Sequence, residues 1–149
     1  MRAYYFSSKD KKLGYGDNRQ IRKGRTHKVK GEIKLCENGL HASVKAIDAL
    51  SYAPDCYLWI VELGGTIVES DDKVAASERT YIAGFNADKL LRDFARKQAL
   101  INIEKIKDYT GYSDYAIINR CLLMAALSAA NEMLEDMIAD EISRLNREI

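Results

Sequence analysis

The hydrophobic period of the sequence changes once, from strand-like to helix-like, and this change restricts the fold more than any other feature. Up to residue 85, short apolar or alternating stretches are separated by glycine-containing turns. From residue 86 onward, the apolar residues recur at helical spacing. Strands that all precede the helices are typical of α+β proteins. We therefore predict an α+β fold with an antiparallel-rich N-terminal sheet and one short helix, followed by two C-terminal helices, the last one long.

The strands are predicted from apolar or alternating stretches between turn signals. They lie at residues 3–7, 25–30, 32–36, 57–63, 66–68 and 79–83. A short helix is predicted from Val44 to Ala53, with Ser43 as its N-cap and Pro54 ending it. The strand-rich part of the chain therefore contains one helix.

The rest of the chain is predicted to be helical. Two helices are expected, from Ala87 to Ile106 and from Tyr115 to Asn146, with a break at residues 109–112. At 149 residues the chain has the usual length of one domain. We expect residues 1–149 to form a single domain with a strand-rich part, 1–85, and a helical part, 86–149.

The last helix carries an apolar seam that needs a partner helix. Its residues follow one another at spacings of three, four or seven: Leu127, Leu134, Ile138, Ile142, Leu145 and Ile149. The preceding helix is the expected partner. The alternative is a homodimer formed through residues 115–149.

Membrane and export signals are absent from the sequence. No stretch approaches the roughly 20 apolar residues that a membrane span needs, and no signal-peptide pattern is present. The three cysteines, Cys36, Cys56 and Cys121, are odd in number and far apart, which suits free thiols in a reducing compartment. We expect a cytoplasmic protein without a membrane partner.

Basic residues are concentrated in the first 45 residues, and acidic residues predominate after residue 111. Such a field steers a surface toward anions, so we predict an acidic or phosphate-bearing partner. The predicted contacts are Arg19, Arg22, Arg25 and Lys28. A nucleic-acid or nucleotide ligand is an alternative, with the nearby aromatic residues as stacking surfaces. An ordinary solvated surface is a further alternative.

No signature of a known catalytic or metal site is found in the sequence. Cys36 and His41 are five residues apart with no second pair nearby, whereas a structural zinc needs four ligands, so we expect no metal. The same two residues allow a Cys–His nucleophilic dyad as an alternative to a buried structural cysteine.

The string from Cys36 to Ser43, with the short helix and strand that follow it up to Gly64, resembles an uncharacterised domain family of bacteriophages and prophages. The resemblance covers roughly residues 3–85. Together with the small size and the absence of catalytic motifs, it predicts a phage-type accessory protein, located in the host cytoplasm, that binds a host protein. We expect a binding module without enzymatic activity or cofactor, with an anti-defence role such as anti-CRISPR-like inhibition.

A second resemblance points to a different class. The string from Gly39 to Ser43, then Tyr52, and then the strand ending at Gly64 are similar in order to a pattern of ADP-ribosyltransferases of the poly-ADP-ribose polymerase type. This resemblance implies NAD as cofactor, with His41 and Tyr52 lining a nicotinamide pocket. Glu78 is its candidate for the acid that stabilises the oxocarbenium-like centre.

Overall fold

The computed structural model describes residues 1–107 and 115–148, and it describes side chains for residues 1–101 and 127–148. The elements follow one another as β1 (Arg2–Ser7), β2 (Thr26–Lys28), β3 (Leu40–Ala42), α1 (Ala46–Ser51), β4 (Tyr57–Glu69), β5 (Val74–Asn86), α2 (Asp88–Lys107) and α3 (Tyr115–Arg147). The predicted α+β fold, with one short helix and two C-terminal helices, is confirmed.

The sheet is built on the hairpin formed by β4 and β5. These two strands are 13 residues each and pair along most of their length. The sheet has five strands in the order β1-β4-β5-β2, and β3 pairs with the first residues of β5. Every pairing is antiparallel. The two long strands therefore hold together short strands that cannot form a stable sheet alone.

Aromatic rings form the centre of the core on one face of this sheet. The rings of Trp59 and Tyr81 meet edge to face, with centroids 5.3 Å apart. The Trp59 indole N–H donates to the Ser7 hydroxyl at 3.0 Å. Gly84 lies against the indole, because a Cβ at this position would be 2.3 Å from the ring. A side chain at residue 84 would therefore displace Trp59.

The predicted strand at residues 32–36 is wrong. This segment forms a turn in which the Asn38 side chain donates to the carbonyl groups of Lys30 and Glu32, at 3.0 and 2.9 Å. Strand pairing with β5 is made instead by Leu40–Ala42. The alternation of Ile33 and Leu35 was misleading because local side-chain bonds to the backbone compete with strand pairing.

The predicted strands at 57–63 and 66–68 are parts of one strand. β4 passes through Gly64 and Gly65 with an irregular register between Gly64 and Ile67. Gly65 has a φ of +70°, and the next backbone N–H, of Thr66, donates to the Ser77 hydroxyl at 2.9 Å. The glycines thus form a bulge rather than an end to the strand.

The short helix begins later than predicted, at Ala46, with Lys45 at the N-cap and no side-chain cap. Ser43 is not the N-cap, because it is buried and its backbone pairs with that of Tyr4 at 2.8 and 3.0 Å. Ala46 and Ala49 form the buried face of α1, whereas Val44 is exposed.

The chain divides into two compact units, Met1–Asp88 and Lys89–Ile149. The division falls close to the predicted change at residue 86. The expectation of one domain over residues 1–149 stays a prediction. None of the helices in the described ranges has the length and apolar character needed to cross a membrane.

In the second unit, Leu134 and Ile138 of the predicted seam are buried, whereas Leu127 is 46% exposed. The Gln98 amide of α2 lies 3.3 Å from the Met133 sulfur of α3, so the two helices are in contact. This contact agrees with the preceding helix as the partner of the seam. The homodimer stays a prediction. The predicted break at 109–112 and Ile149 lie outside the described residues.

Candidate functional site

The first unit contains a cavity of about 560 Å³. Residues of β1, β3 and β5, the end of α1, and the loops around residues 13–17 and 36–39 line it. The lining side chains with polar or aromatic chemistry include Tyr5, Cys36, His41, Tyr52, Lys73 and Arg79. A volume of this size lies within the usual range of small-molecule sites, about 300–1,000 Å³.

Arg79 is the most unusual residue of the cavity, because its charged side chain is only 2% exposed. Its guanidinium lies over the Tyr5 ring, 3.7 Å from the centroid. Nε and Nη2 donate to the Tyr81 hydroxyl at 3.1 and 2.8 Å, and Nη1 donates to the His41 carbonyl. These contacts stabilise the charge in part through a cation–π interaction and neutral acceptors.

No carboxylate forms an ion pair with Arg79 among the residues whose side chains are described. A guanidinium has five N–H donors, and the recorded bonds use three of them. The two remaining donors have no recorded acceptor within the described part of the chain. A buried charge without a counter-charge costs several kcal/mol, so this arrangement suits an anion supplied from outside.

A chain of hydrogen bonds runs from Arg79 through Tyr81 to His27. Because two Arg79 donors occupy the lone pairs of the Tyr81 oxygen, the hydroxyl hydrogen points to Nδ1 of His27, 3.1 Å away. His27 is then neutral, with its hydrogen on Nε2. Burial lowers the pKa of His27, and Arg19 and Arg79 lower it further. Burial raises the pKa of Tyr81 and so keeps its hydroxyl protonated.

The Nε2 atom of His27 is buried and has no hydrogen-bond partner within the described ranges. Such a group is costly to bury. Protonation of His27 would add a charge beside three arginines and remove the acceptor for Tyr81. A neutral His27 is therefore the form that fits this chain of hydrogen bonds.

A second group of polar side chains lies where the loops meet the cavity. The Cys36 backbone N–H donates to Nε2 of His41 at 3.0 Å. Burial lowers the pKa of His41, and the charge of Arg79 adds to this effect. Nζ of Lys73 lies 3.0 Å from the Cys36 sulfur, and this contact raises the pKa of Lys73. His41 is therefore a neutral acceptor and Lys73 a cation.

Tyr52 also lines the cavity, and its side chain makes two contacts. Its hydroxyl donates to the Asp72 carboxylate. Nζ of Lys73 lies 5.3 Å from the centroid of its ring. His41 and Tyr52, which the sequence singled out together, thus line the same cavity. Within the described part of the chain, no group of three or more His, Cys, Asp and Glu residues is placed to hold a metal ion.

Glu78 does not lie among the residues that line the cavity. It forms an ion pair with Lys28 across β5 and β2, with Nζ and the carboxylate oxygen 2.7 Å apart. Its neighbour along the chain, Arg79, points to the opposite face of the strand, because side chains alternate. Glu78 and His41 are therefore not brought together.

The basic surface, which we define as Arg19, Arg22, Arg25 and Lys28, is not uniform. Arg19 makes a two-point contact with Asp17, at 2.6 and 2.7 Å, and also donates to the Lys28 carbonyl. This contact lowers the pKa of Asp17 and raises that of Arg19. Arg22 and Arg25 are exposed. Two of the four predicted contacts are thus engaged in ion pairs, and two face the solvent.

The sequence analysis included Tyr5 among the aromatic residues predicted as stacking surfaces, and it missed Arg79 and Lys73 as site residues. A signal for Arg79 was present: the alternation in the strand that contains it places Arg79 on the same face as the apolar ring of Tyr81. A basic residue on the apolar face of a predicted strand is a candidate for a buried charge. No such signal exists for Lys73.

The fold and the cavity define an α+β domain with a buried cationic group in its cavity. Residues 2–93 match the family described as a domain of unknown function (DUF7666). Because this match covers more than half of the 149 residues, the chain belongs to that family. Membership agrees with the uncharacterised domain expected at about residues 3–85. No curated protein and no solved structure matches the chain.

Proposed function

We propose that this protein is a binding module whose cavity holds a small anionic molecule that carries a phosphate or carboxylate group. The observation that supports this proposal is the buried Arg79 guanidinium, which lines the cavity and has no carboxylate partner within the described residues. Phosphate and carboxylate groups accept two parallel hydrogen bonds from a guanidinium.

Binding at Arg79 is favoured because folding has already removed this side chain from water. An anion that enters the cavity loses its own hydration, whereas the cost for the arginine is already met. Lys73 also lines the cavity and supplies a second positive charge. The acidic residues of the cavity lining oppose this charge weakly, because Asp17 is neutralised by Arg19 and Glu37 is exposed to solvent.

The proposal is tested by calorimetric titration of the purified protein with inorganic phosphate and with nucleoside monophosphates, in a phosphate-free buffer. We expect saturable binding that is lost in Arg79→Gln and retained in Arg25→Gln, the matched change of an exposed arginine. Circular dichroism of both variants verifies the fold. If Arg79→Gln fails to fold, Lys73→Gln is the second variant, and weaker binding is expected. Equal affinity in Arg79→Gln and the unchanged protein would contradict the proposal.

The second candidate function is an NAD-using enzyme of the ADP-ribosyltransferase type. The position of His41 and Tyr52 in one cavity favours it. This candidate predicts NAD binding that is lost in His41→Ala and Tyr52→Ala, together with release of nicotinamide. Glu78→Gln separates the two proposals, because loss of nicotinamide release with this variant would assign a catalytic role to Glu78. NAD binding without any release of nicotinamide supports the binding module.

The broader biological role that we propose is a phage-type accessory protein that binds a host protein, with an anti-defence function. The exposed Arg22 and Arg25 support a surface for an acidic partner. The test is phage plating on a defended host that expresses the chain or its Arg22→Ala/Arg25→Ala variant. Plating that rises with the chain and falls with the variant supports this role. Binding to nucleic acid predicts instead an affinity that falls steeply with salt.

A further inference from the structure

We infer that the ligand of the cavity is a nucleotide with a terminal phosphate, bound with its phosphate at Arg79 and its base stacked on an exposed tyrosine, Tyr15 or Tyr52. This inference rests on the proposed function and names the class of ligand. It combines three observations: the burial of Arg79, the position of its guanidinium over the Tyr5 ring, and the exposure of Tyr15 and Tyr52.

The deep end of the cavity binds the acidic group and not the ring. Within the described part of the chain, two N–H donors of Arg79 have no acceptor, whereas the ring of Tyr5 is already covered by the guanidinium, 3.7 Å from its centroid. A planar ring that entered this far would have to displace that contact. A phosphate or carboxylate, in contrast, would complete the hydrogen bonding of Arg79.

The opening of the cavity has exposed aromatic rings. Tyr15 is fully exposed, and Tyr52 is 52% exposed. Both line the cavity, and the other tyrosines with described side chains are buried or half-buried. Tyrosine rings exposed beside a cavity offer stacking surfaces to a planar heteroaromatic group, and the base of any nucleotide has such a face.

Tyr52 is held in place for this role. The bond from its hydroxyl to Asp72 and the position of Lys73 near its ring restrict the side chain. A restricted aromatic side chain loses little conformational entropy when a ligand stacks on it. Lys73 beside the Tyr52 ring adds a positive charge that attracts an anionic ligand into the cavity.

The burial of Arg79 favours a free nucleotide over the interior of a nucleic acid. An internal phosphodiester is attached to a sugar on both sides, so it has no end that can enter a cavity in which the arginine is 2% exposed. A terminal phosphate can enter with its sugar and base trailing toward the opening. A volume of about 560 Å³ is large enough for a ligand of this kind.

The test compares inorganic phosphate, the four ribonucleosides and the four ribonucleoside monophosphates by calorimetry with the full chain. We expect at least one monophosphate to bind about tenfold or more tightly than phosphate, because base stacking adds to the anion contact. The nucleosides are expected to bind more weakly than their monophosphates.

Two double variants identify the rings. Tyr15→Ala/Tyr52→Ala is expected to lower monophosphate affinity by about tenfold and to leave phosphate affinity unchanged. Tyr15→Phe/Tyr52→Phe, which keeps both rings, is the matched control and is expected to retain most of the affinity. Both positions are exposed, so these variants are expected to fold.

The outcomes separate this inference from the proposed function. If phosphate binds and no monophosphate binds more tightly, the nucleotide inference is wrong and the anion site stands. The same holds if the alanine double variant keeps full monophosphate affinity. If neither phosphate nor any monophosphate binds, the nucleotide inference is wrong, and so is the proposed function for phosphate ligands. Nucleosides that bind as well as their monophosphates would contradict the role of Arg79.

Discussion

The cavity and the basic surface both contain arginine, but they place it in opposite environments. On the basic surface, Arg19 and Lys28 form ion pairs with Asp17 and Glu78, and the remaining arginines face solvent. In the cavity, Arg79 is buried, and no carboxylate of the described residues accompanies it. Water and acids screen the first group, whereas little screens the second. The number of charges in a segment is therefore a poorer guide to a binding site than the environment of one charge.

Of the changes that separate the two regions, replacement of Arg79 by methionine is expected to have the largest effect, and the effect is on anion affinity. Anion affinity should fall by about hundredfold, because a buried charged contact is lost. The free energy of unfolding should change by less than about 2 kcal/mol, because the relief of a buried charge offsets the lost hydrogen bonds. Arg25→Met should change neither quantity appreciably. Calorimetry and urea unfolding measure both, and a loss of stability well above this bound would show that Arg79 is mainly structural.

Tyr81→Phe is expected to have the next largest effect. The change removes the hydroxyl that accepts from Arg79 and donates to His27. Because it leaves buried donors and an acceptor without partners, we expect a loss of about 2 kcal/mol of unfolding free energy and weaker anion binding. Tyr57→Phe, at a half-buried tyrosine of β4, is the control. Equal effects of the two changes would argue against the hydrogen-bond chain.

A pH dependence of stability should follow from His27 and His41, because burial lowers the pKa of both. The pKa of His27 is lowered in the folded protein by burial and by Arg19, Arg79 and Arg25, against a smaller opposite effect of Asp17. The unfolded chain therefore binds more protons below its ordinary histidine pKa of about 6.5. The free energy of unfolding should therefore be highest above that pH, and it should decrease as the pH falls below it.

Urea unfolding between about pH 5 and 7.5 measures this dependence, above the range in which most carboxylates titrate. His27→Gln should flatten the curve, because glutamine does not titrate. His41→Gln should flatten it less, since His41 is only half-buried. An unchanged curve in His27→Gln would show that this histidine does not control the stability of the folded state in acid.

The smallest effect is expected on the basic surface. Glu78→Gln removes the ion pair with Lys28, which is largely exposed. Exposed pairs contribute about 0–1 kcal/mol, so the free energy of unfolding should change by no more than that. Phosphate affinity should be unchanged, because Glu78 does not line the cavity. A marked loss of affinity with this variant would remove the distinction between the two regions.

Much of the fold could be predicted because its signals are local. The clear strand at residues 57–63 and the helices Asp88–Lys107 and Tyr115–Arg147 lie close to where the periodicity placed them. Errors arose where residues distant in sequence decide the outcome. Ser43 was predicted as a helix cap, but its backbone pairs with Tyr4 instead.

The candidate site was accessible from the sequence only in part. The order of Gly39, His41 and Tyr52 led to two residues that line the cavity, because they lie close together along the chain. The acceptors and ring around Arg79 come from three strands, and Tyr5 is far from Arg79 in sequence. No local sequence pattern predicts which distant groups will surround a charged side chain.

The sequence by itself determined the α+β order of elements, the uneven distribution of charge and the identity of the side chains available for binding. These properties depend on composition and on periods of two or 3.6 residues, which are read within a short window. Only the tertiary structure decided that Arg79 is buried with no acid beside it among the described residues, that Glu78 faces away, and that Tyr52 and His41 share a cavity. Burial and pairing depend on the antiparallel register of the sheet, which brings Tyr5 of β1, His41 of β3 and Tyr81 of β5 to one guanidinium.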